Sequence, residues 1–225
     1  MRLPASERTA LLRCGEAVSL PMGEILQQPG MRVKHVHFPL RGFVSLLHRS
    51  EGHGEMEVAV VGKEGFVGAH LALGVAEAPF LAMVQGPGDA LRIDAEVFCG
   101  RMADSPRLRT LMQRYLYVQM TQLATASSCT RHHDITARLA RWLLMCRDRN
   151  EADEFAMTHE FLGYMLGVRR VGITHAAGAL QRQGTLRYRR GRVHLLDPKG
   201  LQAAACPCYD ADLRTHQRFM ARAAR

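Results

Sequence analysis

The sequence predicts an α+β protein with a mostly β N-terminal part, a long central helix and a helical C-terminal part. Three observations support this fold class. Turn signals recur about every eight to twelve residues up to residue 104, as in a β-sandwich, barrel or roll. Residues 107–155 contain no Gly or Pro and carry a helical apolar period. Residues 157–196 combine a helix-turn-helix pattern with a basic β-hairpin.

The N-terminal part is expected to open with a short helix over Ala5 to Leu12. Short apolar runs then alternate with turn signals, such as those at Pro29-Gly30 and Gly52–Gly54. We expect Lys63–Gly74 to interrupt the strands as a short helix or loop, and Gly86-Pro87-Gly88-Asp89 to be the turn between the last two strands. The expected strands are Glu24–Leu26, Val33–Phe38, Gly42–Leu47, Glu57–Val61, Phe80–Val84 and Ala90–Ile93.

A long helix is expected to begin at Ser105, because Ser suits the N-cap and Pro106 suits the first helical position. The run Ser127-Ser128-Cys129-Thr130 is a candidate for a bend or break, and a further amphipathic helix is expected over His133 to Arg149. The apolar face of the long helix must pack against its own domain or against a second subunit. We favour a second subunit, since helix-turn-helix proteins commonly read two half-sites as two-fold dimers. This face comprises Leu108, Leu111, Met112, Tyr115, Leu116 and Leu123.

The helix-turn-helix pattern begins at His159 and is the most informative feature of the chain. Gly163 lies where the two helices must approach closely, and Gly167 lies at the turn, where a positive φ favours glycine. The second helix is expected to begin near Val168 or Arg169 and to end near Gln183. A unit of this kind places its second helix in the major groove of DNA. The inward positions are all apolar: Leu162, Leu166, Val168, Ile173 and Ala176.

The formal net charge is +9, and its distribution indicates a polyanionic partner. Residues 1–130 contain 13 Lys and Arg against 12 Asp and Glu, whereas residues 131–225 contain 17 against 9. The basic excess therefore coincides with the helix-turn-helix pattern, as expected for a protein that binds nucleic acid. The alternative to a polyanionic partner is that the arginine content reflects the base composition of the genome.

Other function classes have little support in the sequence. There is no apolar run long enough for a membrane span and no secretory signal, so we expect a cytoplasmic protein. Nucleotide-binding, nucleophile-elbow and metalloprotease motifs are missing, so we expect no enzyme. The six cysteines include no CxxC pair, which argues against a structural zinc site or a disulfide framework, and we predict no metal and no cofactor.

The layout resembles the Crp–Fnr superfamily of bacterial transcription regulators. The resemblance is carried by EFLGYMLGVRRVGITHAAGALQRQGTLRY, by GRVHLLD in the hairpin and by FPLRGFVSLLHRSEGHGEMEVAVVGKEGFVG. It implies an antiparallel, cyclic-nucleotide-binding-like β-roll over residues 1–104, a dimerisation helix over 105–132 and a winged helix-turn-helix domain with a tail over 133–225. It also implies a homodimer formed through the helix from Ser105, double-stranded DNA with an inverted-repeat operator, and RNA polymerase as a further partner.

The resemblance places the family's three base-contacting positions on Arg170, Val171 and His175. An arginine fork can bind guanine O6 and N7 bidentately, whereas Val171 and His175 replace the glutamate and second arginine common in the family. Arg169 is expected to meet phosphate, and Thr158 to cap the first helix or to contact phosphate. The remaining expected DNA contacts are Thr174 in the second helix and Arg189, Arg190 and Arg192 in the hairpin.

The resemblance also implies an effector pocket in the β-roll, but without the groups that bind a cyclic nucleotide. Phe66 falls near the position of the ribose-binding glutamate, and Ala78, Pro79 and Phe80 replace the triplet with the phosphate-binding arginine. We therefore expect no binding of cyclic AMP, because a buried phosphate would lack its compensating charge. The effector is unknown, and its expected pocket residues are Phe66, Val67, Gly68, Ala78 and Phe80.

Several alternatives remain open at this point. An iron–sulfur cluster is disfavoured because Cys14 stands alone near the N-terminus. Haem binding is disfavoured because His70 is a lone candidate for the axial ligand. A metal site at His35 and His37 is disfavoured because a third ligand is lacking. Cys206 and Cys208 could make the protein redox-responsive. The protein could also be a constitutive regulator, or a signalling module that binds protein instead of DNA.

Overall fold

The computed structural model describes residues 3–50, 54–150 and 152–221. Its N-terminal part consists of α1 (Ala5–Leu12), β1 (Gly15–Leu20), β2 (Ile25–Gln27), β3 (His35–Ser50), β4 (Gly54–Val61), a 3₁₀ turn (Ala69–Leu73) and β5 (Leu81–Asp94). The strands form one antiparallel sheet in the order β1-β5-β3-β4, and β2 pairs with β5. This arrangement is the β-roll that the sequence predicts. Apart from Gly54, the turn signal at Gly52–Gly54 lies outside the described residues.

Two long bent strands replace four of the predicted short ones. The residues Gly86 to Asp89, predicted as a turn, lie inside β5, and β3 continues from the predicted Val33–Phe38 run through Gly42. The pairing of β3 with β5 shifts register around Pro39 to Val44. A Cβ added to Gly42 would lie 2.2 Å from the carbonyl oxygen of Gly86. These glycines therefore allow two bulged strands to approach closely, and they do not mark a chain reversal. Strand β1 was not predicted.

Helices α2 (Ala95–Asp104) and α3 (Pro106–His132) follow the roll. The Ser105 side chain caps α3 by accepting a hydrogen bond from the Leu108 N–H at 3.0 Å, and Pro106 opens the helix, as predicted. The break considered at Ser127–Thr130 is wrong, because α3 continues to His132. The Thr130 hydroxyl donates to the Ala126 carbonyl at 3.0 Å, which satisfies it within the helix.

Half of the predicted apolar face of α3 is buried in its own chain, so our interpretation of these three residues as a contact with a second subunit is wrong, whereas Leu111, Leu116 and Leu123 are half-buried and stay a prediction. Leu108, Met112 and Tyr115 are buried in one core with residues of the roll and α2. The Phe66 ring is central to this core, 5.1 Å from the rings of both Phe38 and Tyr115. A different side of α3 stays exposed, with Tyr117 at 50% and Met120 at 59% of their full accessible surface.

The C-terminal part begins with α4 (Ile135–Asn150), which corresponds to the helix predicted over His133 to Arg149. The remaining elements are β6 (Glu154–Ala156), α5 (His159–Leu166), α6 (Arg170–Arg182), β7 (Leu186–Arg189), β8 (Arg192–Leu195), α7 (Pro198–Ala204), α8 (Cys208–His216) and a π-helical turn (Gln217–Ala221). The three short strands form an antiparallel sheet in the order β6-β8-β7. A core of buried side chains from α4, α5, α6 and this sheet also includes Phe43, Leu47 and Val60 of the roll. Among the described residues, no helix is both long and apolar enough to cross a membrane.

Candidate nucleic-acid interface

The α5–turn–α6 unit is built by local sequence signals. The Thr158 hydroxyl caps α5 by accepting a hydrogen bond from the Phe161 N–H at 3.1 Å. Gly167 ends the helix with φ of 63°. A Cβ on Gly163 would lie 2.8 Å from the Val168 carbonyl oxygen, and the Val168 N–H donates to the Gly163 carbonyl at 2.9 Å. The roles predicted for Gly163 and Gly167 are confirmed, and together they fix how α5 approaches α6.

Helix α6 has one buried and one exposed face. Its buried side packs in the C-terminal core through Ile173, Ala176, Ala177 and Leu180. Arg169 is the N-cap residue, so the first turn presents its amide groups beside a guanidinium. The side chains at the exposed N-terminal end are those predicted to contact DNA: Arg169, Arg170, Val171, Thr174 and His175.

His159 is a residue of this surface that the sequence analysis missed. Its Nδ1 atom lies 3.0 Å from the Thr174 hydroxyl, which also donates to the Arg170 carbonyl at 3.1 Å. The His159 ring packs against the Tyr188 ring with centroids 4.2 Å apart. Burial, followed by the charge of Arg170, lowers the pKa of His159. The histidine therefore links α5, α6 and the hairpin, and it holds Thr174 in place. No local pattern in the sequence marks this contact.

The hairpin of β7 and β8 forms the wing. Its two-residue loop places Arg190 at φ of 49° and Gly191 at φ of 74°, as a type I′ turn requires. The Gly191 carbonyl accepts a hydrogen bond from the Met157 N–H at 2.7 Å, which places the wing tip beside the start of α5. Arg189 and Arg190 are exposed. Arg192 is also exposed, but its Nε atom lies 2.5 Å from a carboxylate oxygen of Glu154, which already neutralises part of its charge.

The helix-turn-helix domain docks on β4 of the roll through buried polar contacts. The Trp142 indole donates to Oε1 of Glu57 at 2.6 Å, and the Ser45 hydroxyl donates to Oε2 at 2.5 Å. Burial of the carboxyl group raises the pKa of Glu57 to about 7, although the hydrogen bonds from Ser45 and Trp142 oppose the shift. Arg149 forms a second buried link, 2.6 Å from Oε1 of Glu64. These contacts fix where α6 lies relative to the roll.

The residues predicted to line an effector pocket lie mostly inside the roll. Phe66, Val67 and Ala78 are each at most 3% exposed. Phe66 belongs to the core shared with α3, whereas Val67 belongs to a separate core between the strands. Gly68 is the N-cap residue of the 3₁₀ turn, and the Phe80 ring lies 6.4 Å from the His48 ring. The structure thus joins one of the predicted pocket residues, Phe66, directly to α3.

The two histidines considered for a metal, His35 and His37, lie on β3 with ring centroids 6.3 Å apart. Burial, followed by the charges of His35 and Arg92, lowers the pKa of His37 to about 4. A cluster that the sequence analysis did not predict involves other ligand types: the sulfur atoms of Cys129, Cys206 and Cys208 all lie within 4.8 Å of one another. Cys129 and Cys206 are far apart in the sequence, so no local spacing could reveal this cluster.

Residues 137–204 match the family of Crp-like helix-turn-helix domains. Among solved structures, the chain is similar to FixK2 from Bradyrhizobium japonicum, with 14% identity over 85% of this chain and 98% of that chain and a TM-score of 0.71. It is also similar to the c-di-GMP responsive global regulator CLP of Xanthomonas campestris, with 19% identity over 85% and 99% of the two chains and a TM-score of 0.67. A third similar structure is a CRP/FNR family transcriptional regulator from Thermus thermophilus, with 23% identity over 84% and 98% and a TM-score of 0.64. A comparison with curated protein sequences finds no match.

Proposed function

Because residues 137–204 form a Crp-like helix-turn-helix domain on a chain with the fold of the Crp/Fnr transcription regulators, we propose that this protein regulates transcription as a sequence-specific, homodimeric DNA-binding protein. The observation that carries the proposal is the exposed N-terminal end of α6, which presents two arginines and a histidine next to the basic wing. The geometry matches a helix that enters the major groove while the wing contacts the backbone.

Base reading is assigned to Arg170, Val171 and His175 in α6. The long Arg170 fork can donate two hydrogen bonds to a guanine, whereas Val171 offers only an apolar contact, such as one with a thymine methyl group. Arg169, beside the amide groups of the first turn, is suited to a phosphate. Thr158, Thr174, Arg189, Arg190 and Arg192 complete the proposed contact set, with Arg192 weakened by its pairing with Glu154.

The proposed dimer forms through the exposed side of α3. Tyr117, Met120 and Ala124 are exposed there and recur with the three- and four-residue spacing of a two-helix seam. Two copies joined in this way present two α6 helices to the half-sites of an inverted repeat. Such a dimer acts on chromosomal DNA in the cytoplasm. RNA polymerase is included as a partner on the strength of the family resemblance alone.

We propose that the roll receives a signal other than cyclic AMP. The positions that would supply an arginine and a glutamate to a cyclic nucleotide hold Ala78, Pro79, Phe80 and Phe66. The tilted ring contact of Phe66 with Tyr115 gives a change in the roll a direct route to α3. The effector pocket at Phe66, Val67, Gly68, Ala78 and Phe80 remains a prediction, as do the domain limits 1–104, 105–132 and 133–225.

The test is selection of a random duplex DNA pool by the purified full-length protein at near-physiological salt without added effector. We expect enrichment of one inverted repeat. Arg170→Ala should relax one symmetric position in each half-site, whereas Arg109→Ala, an exposed arginine on α3, should leave the enriched sequence unchanged. Identical enrichment by wild type and Arg170→Ala would contradict the role of α6. Binding without enrichment would contradict sequence-specific regulation by the effector-free protein.

A further inference from the structure

Three thiols converge where the long helix meets the C-terminal segment. Cys129 and Cys206 are buried, at 2% and 4% exposure, and their sulfur atoms are 3.5 Å apart. Cys208 is half-buried, and its sulfur atom lies within 4.8 Å of the other two. A tetrahedral ion with metal–sulfur bonds of about 2.3 Å holds its sulfur ligands about 3.8 Å apart. The Cys129–Cys206 distance is close to this value, and Cys208 lies near enough for its sulfur atom to join the same ion through a side-chain adjustment of about 1 Å or less.

The three cysteines come from separate parts of the fold. Cys129 lies in the last turn of α3, Cys208 opens α8, and Cys206 lies between α7 and α8. The Cys206 N–H also donates to the Ala137 carbonyl of α4 at 3.4 Å. The cluster thus spans the junction of α3 and α4 at His133 and Asp134. An ion bound here would tie α3 to the helix-turn-helix domain.

The surroundings favour a divalent ion. The guanidinium groups of Arg138 and Arg141 lie beside the cluster, because both residues line the same cavity as Cys129. Arg141 is paired with Asp212 at 2.6 Å, so the nearby Arg138 supplies the remaining positive charge. Three thiolates with one divalent ion carry a net charge of −1, which that positive charge balances. A monovalent ion would leave more negative charge buried, at a greater cost in desolvation.

Space for a further ligand lies beside Cys129, the one cysteine of the three that lines the neighbouring cavity. Among the described residues, the side chains close enough to share one ion are the three cysteines, so the protein supplies three ligands. Cys129 borders a cavity of about 50 Å³ that is also lined by Arg138, Arg141 and Asp212. That volume exceeds the roughly 15 Å³ needed for a water molecule. Three protein ligands with one water ligand is an arrangement that zinc adopts in proteins.

We propose that Cys129, Cys206 and Cys208 bind one divalent thiophilic cation of the zinc class. Binding forms three metal–sulfur bonds and releases the protons that remain on the thiols to solvent, with no change of oxidation state. The ion holds the α3–α4 junction in one arrangement. The metal site does not depend on the proposed function, whereas an effect of the ion on DNA binding does.

The test uses Cd²⁺ as a spectroscopic probe on the full chain, reduced with a phosphine and freed of metal. We expect ultraviolet thiolate-to-metal absorption that saturates at one equivalent, and a rise in Tm on loading with Cd²⁺ or Zn²⁺. Cys208→Ser should lose both signals, and because Cys208 is half-buried this variant should still fold. Cys129→Ala is the second variant, and Cys99→Ser, outside the cluster, is the matched control.

Saturation that persists in Cys208→Ser and Cys129→Ala, or that is lost in Cys99→Ser, would overturn the assignment. So would the lack of any charge-transfer absorption in the reduced wild type. Mass spectrometry could instead show a Cys129–Cys206 disulfide, as a loss of two hydrogens. If the reduced protein then took up no metal, the cluster would be a redox pair and not a metal site. If Cd²⁺ binds these cysteines but leaves the affinity for DNA unchanged, only the proposed effect of the ion on DNA binding is refuted.

Discussion

The burial of Glu57 predicts that this residue's contribution to protein stability decreases as pH rises. The carboxyl group lies between the Ser45 hydroxyl and the Trp142 indole at the junction of the roll and the helix-turn-helix domain. Its pKa is raised from 4.5 to about 7, mainly by burial. The folded state therefore binds a proton more tightly than the unfolded state does. The stabilising contribution of the protonated form is complete below about pH 4.5 and is lost as pH rises through about 7.

The size of the effect follows from the two pKa values. Their difference corresponds to about 3 kcal/mol of unfolding free energy, at 1.36 kcal/mol for each tenfold change in proton affinity. Glu57→Gln removes the titration, while its amide can still accept from Trp142 and donate to Ser45. The free energy of unfolding of the wild type should therefore fall by about 3 kcal/mol relative to Glu57→Gln between pH 4.5 and pH 8.

Urea unfolding followed by tryptophan fluorescence measures this difference directly, because Trp142 is the single tryptophan of the chain. Glu96→Gln provides the control, since its side chain is 84% exposed. The control should follow the wild type across the pH range. A stability difference between wild type and Glu57→Gln that stays constant with pH would refute the reasoning.

The remaining predictions concern the wing, the helix-turn-helix turn and the roll. In salt titrations of DNA binding, Arg190→Ala should reduce the slope of log affinity against log salt concentration by about 0.9. Arg192→Ala should reduce this slope less, because Arg192 is already paired with Glu154. Equal reductions for the two variants would contradict this prediction. Gly163→Ala should lower stability by about 1–3 kcal/mol through its clash with the Val168 carbonyl, while Gly178→Ala, which has ordinary contacts, should not; equal Tm values would contradict it. Isothermal titration calorimetry with cyclic AMP should show no saturable heat of binding. Micromolar binding would contradict this and would show that other residues of the roll supply the positive charge that balances the phosphate.

The helix-turn-helix could be predicted from sequence because its signals are local. The apolar period, the capping Thr158 and the positive φ of Gly167 all act within one or two helical turns. The start of α3 was predictable for the same reason, from Ser105 and Pro106. Such signals depend little on the rest of the chain.

The features that the sequence did not reveal depend on distant contacts. Gly86 and Gly88 indicate a turn when considered alone, and only their close approach to Gly42 and Arg41 explains why they lie within a strand. The apolar face of α3 could serve either of two packing partners, and periodicity cannot distinguish between them. The Glu57–Trp142 contact and the cysteine cluster each join residues far apart in sequence, so they emerge only from the fold.

The central claim, that Arg170 in α6 reads a base, is tested most directly by a double-mutant cycle. The affinities of wild type and Arg170→Ala are measured on the selected operator and on one altered symmetrically at the position that Arg170→Ala relaxes. We predict that the altered operator costs the wild type about 1–3 kcal/mol per contacted base pair and costs Arg170→Ala close to nothing. Equal penalties for the two proteins would contradict the claim and would assign the base reading to other residues.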